Sequence, residues 1–176
     1  AIPCDMVPDW KTKGKRRTLA DSFGDAARGI LFAVKTERNM RIHVTAAVYV
    51  LFFARFLGVS RGEYAALLLA VALVITAEGF NTAIEMLCDY AQKSYNRFIG
   101  RTKDIAAGAV LISAVFAAFV GVTVLWRPRA LWALAVQIFT SPLWCPVFLV
   151  VTALALVFIF LGPTGIAGLF ERKKGR

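Results

Sequence analysis

Apolar residues in this chain form long runs that short polar segments separate. Because a helix needs about 20 apolar residues to cross about 30 Å of hydrocarbon, four of these runs are predicted as membrane spans. The predicted spans are residues 42–57, 64–88, 105–126 and 143–162. Two more helices are predicted at the membrane surface: residues 17–40, where apolar side chains recur at helical spacing among basic ones, and residues 130–140.

The composition supports a membrane environment. Hydrophobic residues make up 59% of the 176 residues, which is too apolar for an ordinary soluble domain of this size. The fold class predicted is therefore all-α and integral to the membrane, with an amphipathic surface helix, three spans and a fourth C-terminal span. So short a chain cannot enclose a large site alone, which favours self-association through helix faces.

The basic residues predict how the spans are oriented. With these spans, 17 of the 21 lysines and arginines fall on one side of the membrane, and such residues accumulate on the cytoplasmic side. Both termini are therefore predicted to be cytoplasmic. The net charge of +10 is explained by this topology and by anionic lipid headgroups, so no nucleic-acid partner is expected.

Four polar residues interrupt the cytoplasmic end of the second span, in the stretch "TAEGFNTAIEMLCD". At about 100° per residue, Glu78, Asn81, Glu85 and Asp89 lie within a sector of about 80° and form one stripe. Glu78 lies about 16 Å deeper than Asp89, at about 1.5 Å per residue. A solvated helix end would explain Asp89 and Glu85, and a structural hydrogen-bond stripe is the alternative for the whole set, but an ionisable residue as deep as Glu78 indicates a functional site.

The spacing assigns different roles to the two glutamates of this stripe. Glu78 and Glu85 are about 10.5 Å apart along the axis, whereas Mg²⁺ needs oxygen ligands at about 2.1 Å. A metal held by Glu85 therefore needs another carboxylate, and Glu37, at the membrane-proximal end of the surface helix, is on the right side. Glu78 is placed instead for a lipid headgroup, where it could act as a general base on a hydroxyl.

Basic residues follow the second span in the segment "NRFIGRTKD". This segment is predicted as a loop whose Arg97, Arg101 and Lys103 could neutralise phosphates. The alternative for all three residues is the accumulation of positive charge on the cytoplasmic side alone. The pattern G-x-x-x-x-G-K-[ST] does not occur, which excludes a P-loop nucleotide site.

These segments resemble the prokaryotic diacylglycerol kinase and undecaprenol kinase family, over residues 22–125. The segments that carry the resemblance are "ERNMRIH" (residues 37–43), "EGFNTAIEMLCD" (residues 78–89) and "GRTKDIAAGAVL" (residues 100–111). The resemblance implies a small kinase of the bacterial cell membrane that transfers the γ-phosphate of Mg²⁺–ATP to a lipid hydroxyl. It also implies a homotrimer with active sites between subunits at the cytoplasmic face.

Carried over by position, the resemblance makes Glu78 the catalytic base and Glu37 and Glu85 the Mg²⁺ ligands. It implies nucleotide contacts for one set of residues: Asn81, Asp89, Gly100, Lys103 and Asp104. Phosphate or lipid contacts are expected for Arg28, Arg41 and Arg101, although the first of these, on the surface helix, could equally face lipid alone.

The segments "ERNMRIH" and "NTAIE" look closer to the undecaprenol kinases of Gram-positive bacteria, so undecaprenol is the expected substrate and diacylglycerol the alternative. A transporter or assembly subunit that uses the stripe for proton or cation passage is the non-enzymatic alternative.

Residues 17–126 are predicted as the lipid kinase domain and residues 1–16 as a basic N-terminal extension. Residues 127–176 are predicted as a C-terminal extension with the second surface helix, the fourth span and a basic tail.

Overall fold

The computed structural model describes residues 18–91 and 96–174, and all regular secondary structure in these ranges is helical. This confirms the all-α prediction. The predicted extension over residues 1–16 and the end of the basic tail, residues 175–176, lie outside the described residues. The described helices are α1 (Leu19–Thr36), α2 (Arg38–Phe56), α3 (Arg61–Ala91), α4 (Arg97–Leu125), α5 (Pro128–Thr140) and α6 (Trp144–Lys174).

Three of the described helices are long and apolar enough to cross a membrane: α3, α4 and the part of α6 over Trp144–Pro163. These helices carry the predicted second, third and fourth spans. The first predicted span lies on α2, which is not among them. Arg41, His43 and Arg55 lower the hydropathy of its 19 residues. A crossing over residues 42–57 and the orientation in the membrane both stay predictions.

The surface helix predicted over residues 17–40 is wrong at its C-terminal end. Helix α1 ends at Thr36, and Glu37 is extended, with φ −97° and ψ 122°, before α2 begins at Arg38. The sequence has no glycine or proline here to interrupt a helix. The Arg41 side chain donates to the carbonyls of Val34 and Lys35, and these bonds replace the helical ones that the break removes.

Helices α3 and α4 are both longer than the predicted spans. Ser60 and Glu63 form a capping box at the start of α3, in which the Ser60 N–H donates to Glu63 Oε2 at 2.6 Å and the Glu63 N–H donates to Ser60 Oγ at 3.3 Å. At the start of α4, Asn96 Oδ1 accepts from the Phe98 N–H at 2.9 Å. The loop predicted before residue 105 is therefore wrong for residues 97–104, which are the first two turns of α4.

Contacts divide the chain into two compact units, one ending at Phe32 and one beginning at Ala33. In the first unit, Thr18 and Asp21 bond reciprocally at the start of α1, where the Asp21 N–H donates to Thr18 Oγ1 at 3.2 Å and Thr18 Oγ1 donates to Asp21 Oδ2 at 2.8 Å. In the second unit, α3 packs between α2 and α4. This packing sets the position of the polar stripe on α3.

The C-terminal helices confirm two helical predictions, although α6 continues to Lys174, past the end of the span predicted over residues 143–162. Helix α5 begins with Pro128 in its first turn, and α6 contains a kink at Gly162 (φ 65°, ψ 173°) that precedes Pro163. Helix α6 packs against both α2 and α5. The hydroxyls of Tyr49 and Thr152 lie 3.0 Å apart, and Phe148 contacts the Tyr49 ring edge-on. The added helix is thus joined to α2 by polar and aromatic contacts.

Arg127 stabilises the connection between α2 and α3. Its guanidinium donates to both carboxylate oxygens of Glu63 at 2.8 Å, to the Gly58 carbonyl at 2.8 Å and to the Leu57 carbonyl at 3.3 Å. Gly58 has a φ of 65°, a conformation that favours glycine. One side chain therefore connects the end of α2, the turn and the start of α3.

We expect Arg127→Met to lower the free energy of unfolding by about 1 kcal/mol, because it removes a partly exposed ion pair, in which Nη2 donates to both Glu63 oxygens, and the bonds from Nη1 to two carbonyls. Reversible unfolding in detergent micelles measures this change. Arg129→Met is the matched control, since Arg129 is exposed and its side chain forms no hydrogen bond or ion pair with a described residue. Equal losses in the two variants would show that Arg127 contributes no more than a surface charge.

Candidate functional site

The polar stripe on α3 changes steadily from buried to exposed along the helix. Glu78 is 2% exposed and Asn81 9%, Glu85 is half-buried, and the side chain of Asp89 is 70% exposed. Burial within the protein therefore decreases in the order in which the residues occur along α3. Glu78 is enclosed by protein and Asp89 is exposed, while the depth of the stripe in the membrane stays a prediction.

Two buried atoms of this stripe have no hydrogen-bond partner among the described residues: Glu78 Oε2 and Asn81 Oδ1. Buried polar atoms are nearly always paired, so such atoms indicate a ligand that completes the site. The amide nitrogen fixes the orientation of the Asn81 side chain, because Nδ2 donates to Glu85 Oε1 at 2.9 Å. A purely structural hydrogen-bond stripe would leave fewer of these atoms unpaired.

Thr82 is a part of this region that sequence reasoning missed. It is 5% exposed, and its hydroxyl donates to the Glu78 carbonyl at 3.0 Å. The signal was a threonine four residues after the buried glutamate, where a hydroxyl reaches back to the carbonyl one turn earlier. Thr82 supports the backbone that carries Glu78.

Two other carboxylates act on the buried end of the stripe through their charges. Those of Glu37 and Glu85 are both close enough to Glu78 for this interaction. Glu37 precedes α2 as its N-cap residue, but its side chain makes no capping hydrogen bond, so the carboxylate stays available. The break after α1 therefore leaves the carboxylate of Glu37, from another segment, near enough to Glu78 for their charges to interact, and a metal shared by Glu37 and Glu85 stays a prediction.

The carboxylates fit a divalent cation that a nucleotide helps to hold. No group of three or more His, Cys, Asp or Glu side chains in the described part of the chain could hold a metal ion alone. Mg²⁺ usually takes one or two carboxylates together with substrate phosphates, rather than a cage of protein ligands. Glu37 and Glu85, on different segments, match that donor set.

A lysine from α4 meets the exposed end of the stripe. Lys103 Nζ donates to Asp89 Oδ1 at 2.5 Å, and the charge of Glu85 also acts on Lys103. Gly100 and Asp104 lie on the same helix, one turn before Lys103 and directly after it, and Asp104 is exposed. The start of α4 thus adds an ammonium group to the carboxylates of α3.

The three arginines predicted as phosphate or lipid contacts have different surroundings. Arg28 pairs with Asp25 in the first unit, and Arg101 is exposed in the second turn of α4. Arg41 is 6% exposed, and its guanidinium donates to three backbone carbonyls. Only Arg101 lies close in sequence to Lys103, on an open surface.

An apolar cavity begins one helical turn before Glu78. Its volume is about 520 Å³, and it lies between α2, α3 and α4. Val74 and Ile75 line it on α3, and His43 lines it on α2. The buried end of the stripe is therefore next to a space suited to hydrocarbon.

A family model described as prokaryotic diacylglycerol kinase matches residues 24–125, more than half of the chain. The chain belongs to the prokaryotic diacylglycerol kinase family. The matched residues, 24–125, include every predicted site residue. Helices α5 and α6 lie outside the match.

Two curated relatives are members with different named substrates. The chain is 39% identical to a diacylglycerol kinase of Synechocystis sp. over 111 residues, which cover 62% of this chain and 63% of the relative. It is 34% identical to an undecaprenol kinase of Bacillus subtilis over 103 residues, which cover 58% of this chain and 84% of the relative. The chain spans less than two thirds of the length of the Synechocystis relative. These similar identities do not separate the two lipid substrates.

Proposed function

We propose that this chain transfers the γ-phosphate of Mg²⁺–ATP to the hydroxyl of a membrane lipid. The observation that carries the proposal is the buried, unpartnered Oε2 of Glu78, on a helix whose other end is exposed and meets Lys103. A water-soluble phosphate donor and a membrane-soluble acceptor need a site with one end exposed and the other end buried. The apolar cavity, whose lining on α3 ends at Ile75 one turn before Glu78, supports a lipid acceptor.

Glu78 is the proposed general base. Its free oxygen accepts the proton of the lipid hydroxyl while the hydroxyl oxygen attacks the γ-phosphorus. The bond between the γ-phosphorus and the oxygen that bridges it to the β-phosphate breaks, and ADP leaves. Thr82 holds the Glu78 backbone, and the surrounding apolar side chains exclude water. Exclusion of water favours transfer to the lipid over hydrolysis.

Glu37 and Glu85 are the residues that would hold Mg²⁺. When bound, the ion neutralises charge on the β- and γ-phosphate oxygens. Asn81 orients Glu85 through its 2.9 Å hydrogen bond, and its free Oδ1 is available to the nucleotide. Orienting partners of this kind usually affect metal affinity strongly.

The nucleotide is proposed to lie over the start of α4. Lys103 counters phosphate charge, and Asp89 holds its ammonium group in place. The proposed nucleotide contacts also include Gly100 and Asp104, with Arg101 as a phosphate contact. These groups lie at the exposed end of the stripe, where ATP would arrive from the cytoplasm.

We propose a homotrimer with active sites between subunits. The single chain leaves large apolar side chains exposed on α4, including Ile105, Leu111 and Phe116, which are 74%, 65% and 64% exposed. Lipid or further copies of the chain would cover such a face. A site shared between subunits would also complete the open surface around Lys103.

The proposed acceptor is undecaprenol, with diacylglycerol as the second candidate. The preference for undecaprenol comes from the segments "ERNMRIH" (residues 37–43) and "NTAIE" (residues 81–85). The second candidate is favoured by the 39% identity to the Synechocystis diacylglycerol kinase. Both lipids present a primary hydroxyl to the same base.

The test is transfer of labelled γ-phosphate from Mg²⁺–ATP by purified protein in micelles. Undecaprenol and diacylglycerol are supplied separately and then together in competition. Label in undecaprenol at a higher kcat/KM supports the whole proposal, and label only in diacylglycerol overturns the acceptor but keeps the kinase. Absence of label from both lipids, together with ion flux in vesicles, would overturn the kinase and support transport through the stripe.

A further inference from the structure

Arg41 has a buried guanidinium that connects two distant segments of the second unit. It is 6% exposed. Its Nη1 donates to the carbonyls of Val34 at 3.3 Å and Lys35 at 3.1 Å, and its Nε donates to the carbonyl of Ile159 at 3.1 Å. One side chain thus joins the end of α1 to the kinked part of α6.

At the end of α1, the bonds from Arg41 to the Val34 and Lys35 carbonyls stabilise the break that contains Glu37. The carbonyls of Val34 and Lys35 are at a helix end and have no further turn to supply N–H groups. The backbone of Glu37 is bonded on both sides: its N–H donates to the Ala33 carbonyl at 2.8 Å, and its carbonyl accepts from the Arg41 N–H at 3.3 Å. Arg41 therefore contacts the segments before and after Glu37 at once.

On the second side, α6 is shaped to receive the guanidinium. In a regular helix the Ile159 carbonyl would accept from the N–H of residue 163, but Pro163 has no N–H. Gly162 lies against the guanidinium, and a Cβ added there would be 3.0 Å from both Cζ and Nη1 of Arg41. The glycine and the proline together leave a carbonyl and a space that Arg41 fills.

We infer that α6, which lies outside the family match, positions the Glu37 carboxylate through Arg41. Arg41 is a positioning residue in this inference: its buried guanidinium donates to backbone carbonyls and so holds the backbone on which a proposed Mg²⁺ ligand is carried. The inference rests on the proposed function only for its effect on nucleotide binding. Its structural part, the coupling of α6 to residues 37–41, is independent of any activity.

The test uses two substitutions in α6 that leave Arg41 and Glu37 unchanged. In Gly162→Ala, the new Cβ would displace the guanidinium, and the φ of 65° would be strained. In Pro163→Ala, the new N–H of residue 163 competes with Arg41 for the Ile159 carbonyl. The substitution also removes a helix breaker, so α6 itself is not weakened. Gly62→Ala is the matched control, because a Cβ there meets no atom within 4 Å.

We expect both variants of the full chain to bind Mn²⁺–ATP about threefold to tenfold more weakly, as the loss of hydrogen bonds at the Glu37 break implies. Equilibrium dialysis measures this binding without lipid. Hydrogen–deuterium exchange at amides 37–41 should become faster in both variants and stay unchanged in Gly62→Ala. The KM for the lipid should stay within about twofold in all three.

Unchanged exchange at amides 37–41 in both variants would overturn the coupling. Faster exchange with unchanged Mn²⁺–ATP binding would overturn the role of Arg41 in positioning a metal ligand. Absence of Mn²⁺–ATP binding in the unmodified chain would count against the proposed kinase, and the exchange measurement would still decide the coupling. Loss of lipid binding in Gly162→Ala but not in Pro163→Ala would show general damage from strain rather than release of Arg41.

Discussion

Glu78→Gln is expected to lower kcat for lipid phosphorylation by about 10²- to 10⁴-fold, the usual contribution of a general base. Glutamine fills the same volume but cannot accept the hydroxyl proton. The Mg²⁺–ATP affinity should stay within about twofold, because Glu78 lies about two turns from Glu85 along α3. Transfer of labelled phosphate to the lipid measures kcat, and equilibrium dialysis with Mn²⁺–ATP measures the affinity.

The matched control for this variant is Glu63→Gln, on the same helix. Glu63 lies at the other end of α3, where it pairs with Arg127 and Ser60. Its substitution removes one negative charge from α3 but no group near the stripe, so kcat should be nearly unchanged. Similar losses of kcat in the two variants would contradict a base role for Glu78 and would indicate a general effect on the helix.

Glu85→Gln has the second large expected effect, and it falls on binding rather than on turnover. We expect the affinity for Mn²⁺–ATP to fall at least about tenfold to 100-fold, because disturbing even a residue that orients a metal ligand has effects of that size. Asn81 can still donate to the Gln oxygen, so the local hydrogen bond and the fold are retained. Dialysis at several Mn²⁺ concentrations separates loss of metal from loss of nucleotide.

A comparison of the two variants tests the division of roles along α3. If Glu78→Gln and Glu85→Gln weaken Mn²⁺–ATP binding equally, the buried and half-buried carboxylates do not have separate functions. If Glu85→Gln binds normally but turns over slowly, Glu85 is not a metal ligand. Glu37→Gln should behave like Glu85→Gln, since both carboxylates are proposed to hold the same ion.

The stripe on α3 was predictable because its residues are close in sequence and a helix has a known period. Glu78, Asn81, Glu85 and Asp89 lie on one continuous helix, and the observed decrease in burial follows their order. The helix period and the expected depth in the membrane were enough to predict that Glu78 is buried and Asp89 is exposed. The family resemblance, confirmed by the match over residues 24–125, indicated the same residues.

The environment of Arg41 was not predictable from its position in the motif. The segment "ERNMRIH" suggested a phosphate or lipid contact, but the guanidinium donates to carbonyls up to 118 residues away in the chain. Gly162 and Pro163 looked like the end of a span. Their complementarity to a buried arginine depends on how α6 packs against α2, which no local pattern contains.

The sequence by itself determined the helical class, the apolar runs, the order of polar residues along α3 and the family, because these depend on composition and on spacing within single helices. Only the tertiary structure decided where α1 ends, that residues 97–104 are helical, and that Glu37 and Lys103 meet the stripe from other segments. The physical reason is that hydrogen bonds between distant segments replace local ones at these places. At Glu37, bonds from Arg41 stabilise a break in a sequence that would otherwise continue as a helix.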